Sequence, residues 1–255
     1  MAANGNGCRL PWGGKQMDYD VIIIGAGPGG IFAAYELMQH KPELRVAVFE
    51  AGHPLHKRHC PIDGEKIKSC IGCKSCSIMS GFGGAGAFSD GKYNITNDFG
   101  GTLYEYIGKK HALDLMHYVD DINLKFGGEG TKLYSTAGTR FKTLCIQNDL
   151  HLLDASVRHL GTDINYIVLE NIYNYLKDKV SFFFDTAVET VKIIAGGYRV
   201  NCRNESYSCE SVSFLRDASA ASGWKRFARN WISPPSPTAW ISVSGWNCLP
   251  ACLPI

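Results

Sequence analysis

Apolar positions fall into patterned runs separated by polar or Gly-rich breaks. Val21 to Ile24 is an unbroken apolar run, the pattern of a short strand covered on both faces. After the break G-A-G-P-G-G, residues Ile31, Ala34, Tyr35 and Met38 recur at helical spacing. Arg45 to Phe49 predicts a second strand, which ends in Glu50. From Thr102 to Phe126 the period is helical again, through Tyr106, Leu113, Met116, Val119, Ile122 and Phe126. Gly108 divides that stretch into two helices, and Gly127, Gly128 and Gly130 end it. Asp149 to His159 and Asp163 to Lys177 predict two more helices. The latter carries a core stripe of Ile164, Ile167, Val168, Asn171, Ile172, Tyr175 and Leu176, with Asp163 at the N-cap. Gly161-Thr162-Asp163 fits a helix cap and a binding turn equally well. Val180 to Phe184, Ala187 to Ile194 and Tyr198 to Arg203 predict strands, the last two joined by a hairpin turn at Gly196-Gly197. Met1 to Gln16 has no period and reads as a disordered leader or an upstream start artefact, so the folded unit begins at Met17.

The first break carries chemistry. Gly25, Gly27 and Gly30 stand at G-x-G-x-x-G spacing between a strand and a helix, and Glu50 follows twenty residues beyond Gly30. Gly25 allows the tight turn out of the strand. Gly27 lets a pyrophosphate approach the backbone, and Gly30 lets helix and strand close on each other. The helix start offers unpaired N–H groups and roughly half a positive charge to phosphate. A carboxylate at Glu50 can accept hydrogen bonds from a ribose.

Two loops follow. The stretch 53–79 holds Cys60, Cys70, Cys73 and Cys76 at C-x9-C-x2-C-x2-C, beside His56, Lys57, Arg58 and His59. Four thiols so spaced fit tetrahedral zinc, an iron–sulfur cluster, a redox dithiol, or a loop of unligated thiols. Ser80 to Asn97 begins with five glycines in twelve residues, which leaves backbone N–H groups free to face a ligand. Ser89 and Asp90 there can hydrogen-bond a polyol or a ring edge. His117, His151 and His159 have no neighbours in sequence that complete a site.

Composition narrows the classes. At 255 residues, 45% hydrophobic and 20% charged, the chain suits one large domain or two modest ones with a real core. A net charge of +2 gives no electrostatic case for nucleic acid. No apolar run is long enough to span a bilayer, and no signal peptide is evident. Ten cysteines, four of them crowded together, point to a reducing, cytoplasmic compartment rather than a disulfide framework. The pattern sets no oligomeric state.

These motifs resemble those of bacterial FAD-dependent dehydrogenases within the two-dinucleotide-binding-domain flavoproteins. The resemblance runs from about Tyr19 to Cys209. It rests on the Gly25 to Gly30 turn with Glu50, on R-H-C-P-I with the following cysteines, and on M-S-G-F-G-G-A-G-A-F-S-D-G-K. It implies an α/β fold: a Rossmann-like FAD-binding domain over 17–210, with a helical segment at 102–178 and a β-hairpin region. It also implies that Gly25, Ala26, Gly27, Pro28, Gly29 and Gly30 hold the FAD pyrophosphate, and that Glu50 and Ala51 hold the adenosine ribose. Arg58 joins the cofactor set. Gly83, Gly84, Ala85, Gly86, Ser89, Asp90 and Gly91 lie beside pyrophosphate and flavin, and Val188 meets adenine through its backbone.

The implied activity is FAD-dependent oxidoreduction, with hydride passing between a small-molecule substrate and the flavin and NAD(P) as an electron partner. Asp90 and Lys92 are the nearest candidates for proton transfer, each equally open to a structural role. The rivals are a nicotinamide-dependent dehydrogenase on the same turn and a truncated, inactive remnant. The family pattern is lost after about Cys209, and 211–255 reads as an aberrant tail that leaves the domain incomplete at the C-terminus. Four of the five tryptophans lie after Ser222. Regrouping each codon as its third base plus the next two lets Trp231 to Asn247 encode D-I-S-T-K-S-N-R-V-D-I-G-V-R-V-E, which is family-like, so the tail reads as frameshifted.

Overall fold

A computed structural model describes residues 17–203 and 205–215; the leader 1–16 and the tail from 216 onward lie outside the described residues. The apolar run becomes β1 (Tyr19–Ile24), the periodic stretch α1 (Pro28–His40), and the second run β2 (Val46–Phe49). β1 and β2 pair in parallel, Val21 opposite Val46 and Ile24 opposite Phe49, which makes a βαβ unit of β1, α1 and β2. Further along come β3 (Lys92–Ile95), α2 (Leu103–Ile107), α3 (Lys109–Asn123), β4 (Leu133–Ser135), α4 (Arg140–Gln147) and β5 (Ser156–His159). Then follow α5 (Gly161–Leu176), β6 (Ser181–Phe183), β7 (Val188–Ile194), β8 (Gly197–Cys202) and β9 (Ser206–Phe214).

The main sheet runs β6-β2-β1-β9-β8-β7. Its first four strands are parallel, and β9, β8 and β7 form an antiparallel meander. This is an α/β, Rossmann-like architecture, with the expected hairpin between β7 and β8. Both faces of β1 are covered, as its unbroken apolar run predicts. Ile23 joins α1 residues Ile31, Ala34, Tyr35 and Met38 and α5 residues Val168, Ile172 and Leu176 on one side. Ile22 and Ile24 join Phe49, Val191, Val200 and Phe214 on the other. Each buried Ile, Leu, Val, Phe or Met among them contributes about 1.5–3 kcal/mol by leaving water.

Several expectations are corrected. β9 went unpredicted, yet it pairs with β1 from Tyr19↔Cys209 to Ile24↔Phe214. It therefore carries the ordered sheet across the boundary drawn at 210/211, and the sequence from Cys209 to Leu215 belongs to the domain. The segment 102–178 is not only helical. β4 and β5 within it pair with β3 in a second, antiparallel sheet of order β3-β5-β4. Residues 149–155 form no helix, and Ser156–His159 is a strand. α5 begins at Gly161, so Asp163 lies in its first turn rather than at the cap, and Ile167 faces outward at 46% exposure. α2 and α3 do separate at Gly108 (φ 81°), as anticipated. Among the described residues no helix is long and apolar enough to cross a membrane.

The second sheet is tied to α3 through a buried ion pair. Arg158 of β5 donates from Nε to Asp120 Oδ1 at 2.5 Å and from Nη2 to Oδ2 at 2.8 Å, and its Nη1 donates to the Thr131 carbonyl at 2.7 Å.

Candidate functional site

The dinucleotide turn is built by two close approaches. Gly25 (φ 108°) leaves β1 and donates its N–H to the Phe49 carbonyl at 2.8 Å, which holds the turn against the end of β2. A Cβ on Gly30 would lie 1.9 Å from the Gly25 carbonyl oxygen, so helix and turn touch there with no room for a side chain. Gly27 caps α1, Pro28 fills the first helical position, and a Cβ on Gly27 would meet nothing within 4 Å. The space over the helix N-terminus is thus open at Gly27, the arrangement that an anion site at a helix start needs.

Glu50 has a different first task from the one its position suggests. Its side chain is buried, and its carboxylate accepts three backbone N–H groups: Ala26 at 2.8 Å, Gly52 at 2.8 Å and Gly81 at 3.0 Å. It thereby knots together the turn after β1, the loop after β2 and the Gly-rich loop. Two carboxylate oxygens offer about four acceptor positions, so one remains for a ligand hydroxyl. Glu50→Gln turns an amide NH2 toward N–H groups that need an acceptor. We expect a loss of about 1–3 kcal/mol, read as an earlier urea unfolding midpoint.

A groove opens between these parts. Ile24, Gly25, Gly27, Phe49, Glu50 and Ala51 form one wall; Met79, Ser80, Gly81, Gly84, Thr186, Ala187, Val188 and Leu215 form the rest. The structure thus brings together Gly25, Gly27, Glu50, Ala51, Gly84 and Val188 from the sequence-derived set. The enclosed part holds about 70 Å³, far less than a dinucleotide, so such a ligand would lie along an open groove. Ala26 serves from behind, with its carbonyl accepting the Gly83 N–H at 2.8 Å.

Of the rest of the Gly-rich loop, little lines the groove. Gly84–Phe88 is a 3₁₀ turn whose Gly86 carbonyl accepts Ser89 Oγ and Asn165 Nδ2, both at 2.9 Å. Ser89 and Asp90 are exposed and lie outside the groove. Asp90 and Lys92 form a surface ion pair at 2.6 Å, and the Lys92 ammonium holds the Asp90 carboxyl below its ordinary range. Neither is among the groove-lining residues. Gly91 packs on Leu160 and Asn165. Ala85, Gly86, Pro28 and Gly29 frame the turn without lining the groove. Arg58 is buried and bonded to backbone carbonyls, so it does not contact the groove as a cofactor ligand would.

The sequence reading missed Gly52, Gly81, Thr186 and Leu215. Gly52 and Gly81 make the second close approach, where a Cβ on Gly52 would lie 2.4 Å from the Gly81 nitrogen. Their only signal was the presence of glycine next to each motif.

The cysteine reading is corrected. Among the described residues no group of three or more His, Cys, Asp or Glu is gathered so as to hold a metal ion. Cys60, Cys70, Cys73 and Cys76 are all free thiols; Cys70 and Cys73 are exposed, and Cys60 and Cys76 are half-buried. Residues 60–76, which carry them, form no strand or helix that could turn the four inward. Burial pushes the thiols of Cys202 and Cys209 up to about 11 and about 12. Site-resolved alkylation of the native protein at pH 8 should therefore label Cys70 and Cys73 and leave Cys202 and Cys209 unmodified until denaturant is added. Native labelling of Cys209 at a comparable rate would mean that β9 does not sit in the sheet as described.

Comparison with known proteins agrees at the turn. The Thi4 family matches residues 14–54. Thiamine thiazole synthase of Yarrowia lipolytica is 50% identical over 38 residues, which is 15% of this chain and 12% of that protein. The Eremothecium gossypii enzyme of that name is 53% identical over 32 residues, 12% of this chain and 10% of that one. Both matches span a small fraction of those relatives. Among solved structures, glycine oxidase from Geobacillus kaustophilus is 17% identical with a TM-score of 0.48, over 91% of this chain and 67% of that one. The monooxygenase PnpA from Pseudomonas putida is 14% identical with a TM-score of 0.40, over 80% and 42%. Likeness at that level carries no argument, and the fold rests on the chain's own strand order. What the sequence matches share is the β1–α1–β2 unit with its glycine turn, within residues 14–54.

Proposed function

We propose that this chain binds FAD along the groove between Gly25 and Val188 and serves as the cofactor-holding part of an FAD-dependent oxidoreductase. The observation that carries the reading is Gly27. It is the cap of α1, its Cβ position is open, and it shares one groove with Glu50, Gly84 and Val188. The α1 N-terminus would receive the diphosphate, the remaining acceptor position of Glu50 a ribose hydroxyl, and the backbone around Ala187 and Val188 an adenine edge. When bound, the flavin supplies hydride acceptance and return. The chain's own work is to bind, orient and partly shield it, and the partner is a small-molecule substrate with NAD(P) as electron source or sink.

A second reading, a nicotinamide dinucleotide in the same groove, uses the same glycine turn, the part that the Thi4 match covers. The absorbance spectrum of the purified protein separates them. A flavin band that yields FAD on heat release supports the proposal. Protein without flavin that fails to take up added FAD but binds NAD would replace it with the second reading.

A further inference from the structure

Arg58 does not line the groove, yet it is among the most heavily bonded side chains near it. It is 6% exposed. Its Nε donates to the Ser77 carbonyl at 2.9 Å, Nη1 to Phe82 at 2.7 Å and Gly84 at 2.8 Å, and Nη2 to Ile78 at 2.8 Å. All four acceptors lie in one stretch of eight residues that includes the groove-lining Met79, Ser80, Gly81 and Gly84. The Phe88 ring lies across the guanidinium, with Cζ 4.8 Å from the ring centre. Among the described residues no carboxylate comes within ion-pair distance of it. Burial pulls its pKa down, while the nearby Glu50 charge opposes the shift.

A peptide carbonyl and the following N–H point in opposite directions. By drawing the Phe82 carbonyl inward, Arg58 turns the Gly83 N–H outward, onto the Ala26 carbonyl of the dinucleotide turn. Drawing in the Gly84 carbonyl turns the Ala85 N–H outward by the same geometry. From the other side, Glu50 accepts the Gly81 N–H. A guanidinium and a carboxylate thus read the same loop, one through its carbonyls and one through its N–H groups.

We infer that Arg58 is a positioning residue for the dinucleotide: it shapes the loop 77–84 into the second wall of the groove and keeps an unpaired positive charge behind it, without touching the ligand. This rests on the FAD reading above. Only a planar five-donor fork reaches four carbonyls at once; the single ammonium of Lys does not.

The test uses FAD as the probe, with wild type, Arg58→Ala and Arg58→Lys. Arg58→Ala should raise the FAD Kd roughly 10- to 100-fold, and Arg58→Lys should recover little of it. Millimolar guanidinium should restore FAD affinity to Arg58→Ala, while equal sodium chloride should not, a rescue that a general loss of stability would not show. If Arg58→Ala fails to fold, Arg58→Lys carries the test: a native melting temperature with weakened FAD binding supports the inference. It is overturned if either variant folds and binds FAD like wild type, if guanidinium rescues nothing, or if neither variant folds. A wild-type protein with no FAD affinity would overturn the proposed function itself, and this inference with it.

Discussion

Gly30→Ala should be among the most destabilising single substitutions in the chain. The added methyl would sit 1.9 Å from the Gly25 carbonyl oxygen and 3.0 Å from its carbon. Both are backbone atoms, and the peptide from Gly25 to Ala26 is itself fixed by the hydrogen bond from the Ala26 N–H to Glu50. Relief requires α1 to move off β1, which opens the contact of Ile31, Ala34 and Tyr35 with Ile23. Displacement on that scale costs about 4 kcal/mol or more, among the largest single-residue effects. Domains of this kind hold only about 5–15 kcal/mol in total. Circular dichroism and urea unfolding check it. A Gly30→Ala protein within about 1 kcal/mol of wild type would mean that helix and turn are not in contact.

The second large effect lies far from the groove. Arg158→Met leaves Asp120 buried, 5% exposed, with its bidentate partner gone. Removing one member of a buried pair costs about 3–5 kcal/mol, because the remaining charge has no compensation. Adding Asp120→Leu to Arg158→Met should return much of that loss, since two apolar side chains leave no stranded charge. Urea midpoints of the two single variants and the double variant decide it. If the double variant is as unstable as Arg158→Met, the stranded carboxylate was not the cause.

The βαβ unit was legible because every level of its sequence agrees. The four-residue apolar run, the glycine spacing, the helical stripe and the acid after β2 each depend on neighbours close in sequence. β9 was not legible because Ser206 to Phe214 alternates small polar residues with Tyr207, Cys209 and Val212, a weak strand signal alone. It is a strand because β1 and β8 supply a partner on each side. The same reason explains Ser156–His159, which becomes a strand through β3 and β4 rather than through its own period.

The site divides along the same line. The tight turn at Gly25 and the close approach at Gly30 follow from local geometry and were legible in the sequence. The backbone partners of Glu50 and Arg58 were not legible, because sequence position near a motif says nothing about where a side chain ends. Glu50 ends on backbone N–H groups up to 31 residues away, and Arg58 on carbonyls up to 26 residues away. The four cysteines show the converse. Close spacing suggested a shared ion, but the loop around them has no framework that brings their sulfurs together.

Gly27→Asp puts the central claim to the most direct test. Gly27 is the N-cap of α1, at φ −72° and ψ −177°, and nothing lies within 4 Å of its Cβ position. Asp is a better cap than Gly by a few tenths of a kcal/mol, so the fold should be kept or slightly strengthened. The same carboxylate would stand where a diphosphate must approach, and like charges in that space should raise the FAD Kd by roughly 100-fold or more. A calorimetric titration of FAD into both proteins, with melting curves alongside, reads both effects. One FAD should bind per wild-type chain and none measurably to Gly27→Asp, at equal or higher melting temperature. Equal FAD binding by the two, or a folded wild type that binds no FAD, would contradict it.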